Sequence, residues 1–469
     1  MPRRILEVHT IEQIPSGERH GSVNSLLSLW FISNAQVLVV TFGFAIVALG
    51  LSFPMSVLAI VLGVALGTPI MAYHSAQGPK LGVPQMIQSR AQFGLYGGSL
   101  PTFVAFLMYI AFVILGSTVR GPSTASLLHV GPNWGIVIFN VAALAIVWIG
   151  YDLIHRYNRV LSILTALLFV ALLIRLATSF AGHLVTYHTT GNGVVNFMLG
   201  VTIAATNQIT WAPYVSDYSR YLPEDTSVSR AVWLTGVGAA FGGAFSMIIG
   251  ALAGFLAMSQ VSTDTAGYLA GVFHGGNVLL LLVLLLGALP GQLESIYGAF
   301  LTGYTTVSPS GLLGRPVPLR LAVTVGIAAL SSAVAILAHG SLVTFIVDLS
   351  VIALDLLIPW TAINLTDFYL VRRGRYDVGG FFRSDVYGTV NWRTIGVYLA
   401  SFGIELLFTH PTFFEGPIAS LMGGADVSWL VGFMVASGLY LLVRRVTPSL
   451  GDLERLIAEP GAEFPGTKE

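Results

Sequence analysis

Long apolar runs recur along the whole chain, and a run of about 20 apolar residues crosses a bilayer as one helix. On that template the sequence predicts about twelve spans: 26–52, 55–77, 99–119, 134–154, 160–180, 194–216, 230–258, 277–303, 318–338, 341–364, 394–410 and 427–443. Composition agrees. The chain is 55% hydrophobic and 9% charged, where soluble proteins carry about 25% charged residues. The expected fold class is therefore an all-α integral membrane protein, with the lipid bilayer as its surroundings. Net charge is +0, which gives no ground for a nucleic-acid partner. There is no cysteine, which excludes disulfides, thiolate metal sites and cysteine catalysis.

Basic residues orient the spans. If the chain starts inside, Arg120 is the sole basic residue of the outer loops. Lys80, Arg90, Arg220, Arg230, Arg372, Arg373, Arg444 and their like fall inside. This satisfies the positive-inside rule and predicts two cytoplasmic termini in a multi-pass protein of the plasma (inner) membrane. Residues 1–25 read as a cytoplasmic segment, polar and without the apolar core of a signal peptide. The main helical core covers 26–371, in halves 26–180 and 194–371. Two further spans lie in 394–445, and 446–469 reads as a cytoplasmic tail.

Two spans carry polar interruptions. The first reads WFISNAQVLVV, with Ser33, Asn34 and Gln36. The sixth reads AATNQITWAPYVSDY, with Asn207 and Gln208 beside Trp211 and Pro213. Bare backbone at membrane depth survives against protein or a water-filled cavity. Two readings fit the sixth span: a broken helix lining a site, or a proline kink whose polar residues join helices. The two interruptions lie five spans apart, so they enter the membrane from opposite sides, as inverted repeats require.

The stretch QGPKLGVPQMIQSRAQFGLYGGSLP is rich in turn residues and reads as a compact loop rather than a long helix. Together with WAPYVSDYSRYLP and PWTAINLTDFYLVRRGRYD, it resembles the nucleobase:cation symporter family, which holds cytosine and purine permeases and hydantoin or allantoin transporters. The resemblance runs from Asn24 to Asp377. It implies a LeuT-like five-plus-five inverted repeat with two additional C-terminal helices. It implies a small neutral heterocyclic substrate imported by alternating access, with co-transported H⁺ or Na⁺ and no other cofactor. It places the site among the first, third, sixth and eighth helices.

A nucleobase offers a π-face and an edge of donors and acceptors. Stacking on an aromatic ring is worth ~1–3 kcal/mol per base, and amide side chains both donate and accept. Trp211 is the expected stacking platform, unless it is a tryptophan of the interfacial belt. Asn207 and Gln208 are the expected edge readers, with Asn34 and Gln36 from the first break. No Arg or Lys is expected near either break, which argues against a carboxylate or phosphate substrate. The third span departs from the family: Phe112 stands where a stacking tryptophan is usual, and Gly116 where a glutamine is. Ser117 or Thr118 is left to replace that glutamine.

On the eighth span, Gly287, Gly291, Glu294 and Gly298 share one helical face, open to close approach by a neighbour. Glu294 costs about 2.5–3.5 kcal/mol on insertion scales and marks function by default. The alternative is a structural hydrogen bond to another helix. Sodium-coupled relatives place hydroxyl residues on this helix, where this chain has Pro290, Gly291 and Gln292. Ion coupling is therefore expected to use H⁺ through Glu294, with Gln292 and Ser295 beside it. Asp348 and Asp355 share a face of the tenth span. They are open to a proton relay or to pairing with Arg175, and pairing is preferred. Asp367 with Arg372 is read as a solvated or interhelical ion pair. Other classes are a membrane-embedded enzyme or a channel for a small neutral solute. The chain has no HExxH or GxSxG motif.

Overall fold

A computed structural model describes residues 11–149, 151–180, 191–273, 277–309, 316–337, 341–411 and 413–446. Among these residues the secondary structure is helical, and each apolar run named above is met by a helix. Seven helices are long and apolar enough to cross a membrane, or up to eight if the bent pair Ser25–Asn34 and Val37–Ala48 is one span. Asn192, Ser227 and Asn391 cap three helix starts with their side chains, satisfying amide donors that have no partner inside the helix.

Packing is organised by close backbone approach. The Phe53–Ala72 helix lies against Gly193–Ile209, and Val228–Thr263 lies against both halves of the broken first span. Ser99–Leu128 lies against Asn277–Val307. Small residues make these contacts possible. A Cβ on Gly63 would come within 2.4 Å of the Val201 carbonyl oxygen, and one on Gly43 within 1.8 Å of that of Met247. On the second span Gly63 and Gly67 form the packing face towards Gly193–Ile209.

The loop after the second span is compact, as expected. It contains the helices Gln77–Leu81 and Arg90–Phe93 and the 3₁₀ turn Gln85–Ser89. Gly82 sits at φ +67°, where a side chain would also meet Arg19. Gln85 locks this loop to the sixth-span segment: its amide donates to Asp217 at 2.8 Å, and its Oε1 accepts from the Ser216 amide at 3.1 Å. Two of the three family stretches are therefore parts of one joint.

The third stretch ends in a buried hub. Asp367 accepts from Gln92 at 2.8 Å, Arg372 at 3.0 Å, Tyr376 at 2.8 Å and Tyr440 at 2.8 Å. The Asp367–Arg372 pair lies within one helical turn and is almost inaccessible to solvent, so it is neither solvated nor interhelical; the reach to other helices comes from Gln92 and Tyr440.

Candidate binding site

The first break is sharp. The Ser25–Asn34 helix ends, Ala35 (φ −84°, ψ 69°) and Gln36 (φ −145°, ψ 159°) leave helical geometry, and Val37–Ala48 resumes 52° away. No proline causes this. Side chains hold the freed backbone groups instead: Ser246 donates to the Asn34 carbonyl at 2.9 Å, and Gln36 Nε2 donates to the Ser33 carbonyl. Ser33 Oγ donates to Glu294 Oε1 at 2.7 Å, which ties the break to the Asn277–Val307 helix.

The sixth-span segment is interrupted differently. Gly193–Ile209 ends, Thr210 and Trp211 turn, and the 3₁₀ turn Ala212–Tyr214 carries Pro213 into the short helix Val215–Ser219. Trp211 is 8% exposed. Its ring meets Trp30 edge-on at 5.9 Å and Tyr214 at 5.0 Å. A belt tryptophan presents its ring to the interface, whereas this one is enclosed by aromatic neighbours.

Between the two breaks lies a cavity lined by Gln36, Phe112, Arg120, Asn207, Trp211 and Ser295, among others. It is small, with room for about one or two waters. As it stands, the cavity has no room for a ring-sized molecule.

Arg120 corrects the sequence reading in two ways. The third helix does not stop at residue 119 but runs Ser99–Leu128, which takes Arg120 out of the outer loop. And a basic residue does stand at a break: Arg120 Nη2 donates to Gln36 Oε1, and Nη1 donates to Gln292 Oε1 at 2.8 Å. The guanidinium is 1% exposed and lies over the Phe139 ring at 5.6 Å. Gly116 makes this arrangement possible. A Cβ there would come within 2.2 Å of Arg120 Nη1 and 2.3 Å of Gln292 Oε1.

The remaining expected residues divide. Asn207 lines the cavity and its Nδ2 has no partner. Phe112 lines it too, half-buried. Gln208 does not line it; its amide turns towards Val228–Thr263, 3.5 Å from the Ala239 carbonyl. Asn34 is likewise turned away, donating to the Trp30 carbonyl at 3.0 Å and packed against Gly242. Gln292 Nε2 donates to the Val113 carbonyl, Ser117 and Asn140, so Ser117 serves this network and does not line the cavity. Ser295 lines the cavity and donates to the Gly291 carbonyl at 2.9 Å. Glu294 is fully buried; one carboxylate oxygen is held by Ser33 and the other has no partner. The small-residue face of this helix is used as expected: a Cβ on Gly291 would press Gln36 at 2.5 Å, and one on Gly298 would press Tyr109 at 2.8 Å.

Asp355 lies away from the cavity, accepting from Thr409 at 3.0 Å on the side covered by the last two helices. The Asp348 side chain lies outside the described residues. Arg175 is exposed and donates to Ser179 at 2.6 Å, so it does not pair with Asp355. For Asp355 the expected pairing is replaced by this hydroxyl contact.

A family described as permease for cytosine/purines, uracil, thiamine, allantoin matches residues 13–432. A putative purine-cytosine permease of Bacillus subtilis (strain 168) is 33% identical over 459 residues, 96% of this chain and 99% of that one. The chain belongs to this permease family. It is a multi-pass membrane transporter, and its relatives are permeases rather than enzymes. Among solved structures, a nucleobase-cation-symport-1 family transporter, closed with bromovinylhydantoin bound, matches with TM-score 0.74. Its identity is 16%, covering 96% of this chain and 99% of that one. A substrate-bound, outward-open Na⁺-coupled sialic acid symporter matches at 0.61 with 14% identity, covering 92% of each chain. At these identities the likeness carries the fold, which is LeuT-like.

Proposed function

We propose that this permease is a secondary active symporter that imports a nucleobase or related flat heterocycle together with a proton, by alternating access. The observation that carries this reading is the enclosed Trp211 at the sixth break, beside the unpartnered Asn207 amide and a cavity that the first break closes. A ring face and a donor edge are what a nucleobase asks of a site. The transport core is 26–371, in halves 26–180 and 194–371, with two added helices and both termini cytoplasmic. The packing pairs support inverted halves. Exchanging each helix for its counterpart five spans away in the other half turns the pairing of the second with the sixth into that of the seventh with the first, and both pairs are closely packed. The third-with-eighth pairing maps onto itself.

Glu294 is assigned to the proton. A carboxyl enclosed at this depth can cross between states as a neutral acid, and its bond to Ser33 links it directly to the moving break. Ser295, the hydroxyl nearest to a sodium role, is already engaged by the Gly291 carbonyl and by Tyr214 at 3.2 Å. In proteoliposomes, uptake is expected to follow an inward pH gradient, to rise at mildly acidic external pH and to ignore Na⁺. Glu294→Gln keeps the shape and cannot titrate, so it is expected to bind substrate and lose pH-driven accumulation. Accumulation driven by Na⁺ alone, unchanged in Glu294→Gln, sinks this assignment.

A further inference from the structure

Arg120 is a buried cation at the site. Moving a cation out of water costs several kcal/mol even after relaxation, and buried charges are paired as a rule. Among the described residues no carboxylate lies within ion-pairing distance of Arg120. Its bonds go to two neutral amide oxygens, Gln36 Oε1 and Gln292 Oε1, and its Nε has no partner. Glu294, on the same helix as Gln292, is held by Ser33 instead. Yet Arg120 lines the cavity together with Trp211 and Asn207. Gly116, by lacking a side chain, leaves the space that the guanidinium fills.

We propose that the heterocycle taken by this site carries one negative charge, as a ring carboxylate, and that this charge pairs with Arg120. The proposal rests on the flat-heterocycle reading above and refines it. A guanidinium presents parallel N–H donors that match a carboxylate in bidentate fashion. It is weakly hydrated, so it suits a partner that must leave again. Stacking on Trp211 fixes the ring plane, and Arg120 then selects rings with an acidic edge. Gln36 and Gln292 hold the fork in place between the first and eighth spans, so ligand charge is read where those helices meet.

The test uses the purified full-length protein and two matched pairs of probes: uracil against orotate, and nicotinamide against nicotinate. Within each pair the ring is shared and the second member adds the charge. Wild type is expected to bind the anionic member at least tenfold more tightly. Arg120→Gln is expected to bring the two members of each pair to equal affinity, and Arg120→Lys to keep part of the preference. Should Arg120→Gln fail to fold, the wild-type ratio and Arg120→Lys decide. Equal binding of the pair by wild type, or a preference that survives Arg120→Gln, overturns the proposal. If wild type binds only the neutral members, the flat-heterocycle reading stands and this inference falls. If no probe binds, both fall.

Discussion

The two interrupted spans solve the same problem with different chemistry. The first break bends by 52° without a proline. Polar side chains hold it, among them Ser33, Gln36 and Ser246. The sixth carries Pro213 in a 3₁₀ turn and is enclosed by aromatic rings: Trp211 touches Trp30 and Tyr214, and Tyr109 meets Tyr214 at 4.3 Å. One break is a polar clasp and the other an aromatic shelf. A proline or a polar cluster in a sequence locates a break. It does not tell whether that break supplies charge or surface to the ligand.

The comparison is easiest to break at the clasp. Gly116→Ala puts a methyl group between Arg120 and Gln292, and both belong to the bonded chain that ends on Gln36. A hydrogen bond to a charged group is worth about 1.5–3 kcal/mol. The ligand-free variant is expected to lose stability of that order, read as a lowered unfolding midpoint in detergent. An unchanged midpoint means that the clasp holds nothing together. At the shelf the expected loss is of binding rather than stability. Trp211→Ala should cost ~1–3 kcal/mol of substrate affinity, with Trp211→Phe retaining part, both measured by equilibrium binding to purified protein. Normal binding by Trp211→Ala removes the shelf from the site.

Much of this was readable because lipid leaves so few choices. Apolar length fixes helices, and polar residues inside such a run have to meet protein or water. The glycine face of the eighth span was legible by spacing alone, and Gln36 and Tyr109 now occupy it. Arg120 was missed because hydropathy ends a span at its first charge. The helix continues to Leu128, through apolar Leu127 and Leu128. The usable signal was Gly116, four residues earlier and therefore on the same face: a small residue beneath a long cationic one. Gln208 points about 100° away from Asn207 around the helix, and in this closed arrangement that turns its amide towards Val228–Thr263. Asp355 was not readable as to partner, because Thr409 arrives from a helix end far along the chain.

The finest test separates two asparagines of one chemistry. Asn207 lines the cavity with a free Nδ2, while Asn34 donates to its own helix and packs against Gly242. A hydrogen bond of this kind contributes about 0.5–1.5 kcal/mol. Asn207→Ala is therefore expected to weaken substrate binding by several-fold and leave the unfolding midpoint in place. Asn34→Ala should lower the midpoint and leave binding in place, because its amide holds the last turn before the first break. Both readouts come from the same purified samples, so the pair controls itself. If Asn34→Ala is instead the variant that loses binding, the ligand edge is read from the first break. Asn34 would then have to turn its amide from the Trp30 carbonyl into the cavity when the helices part. The closed site would then misreport which break reads the ring, and the division into clasp and shelf would fail.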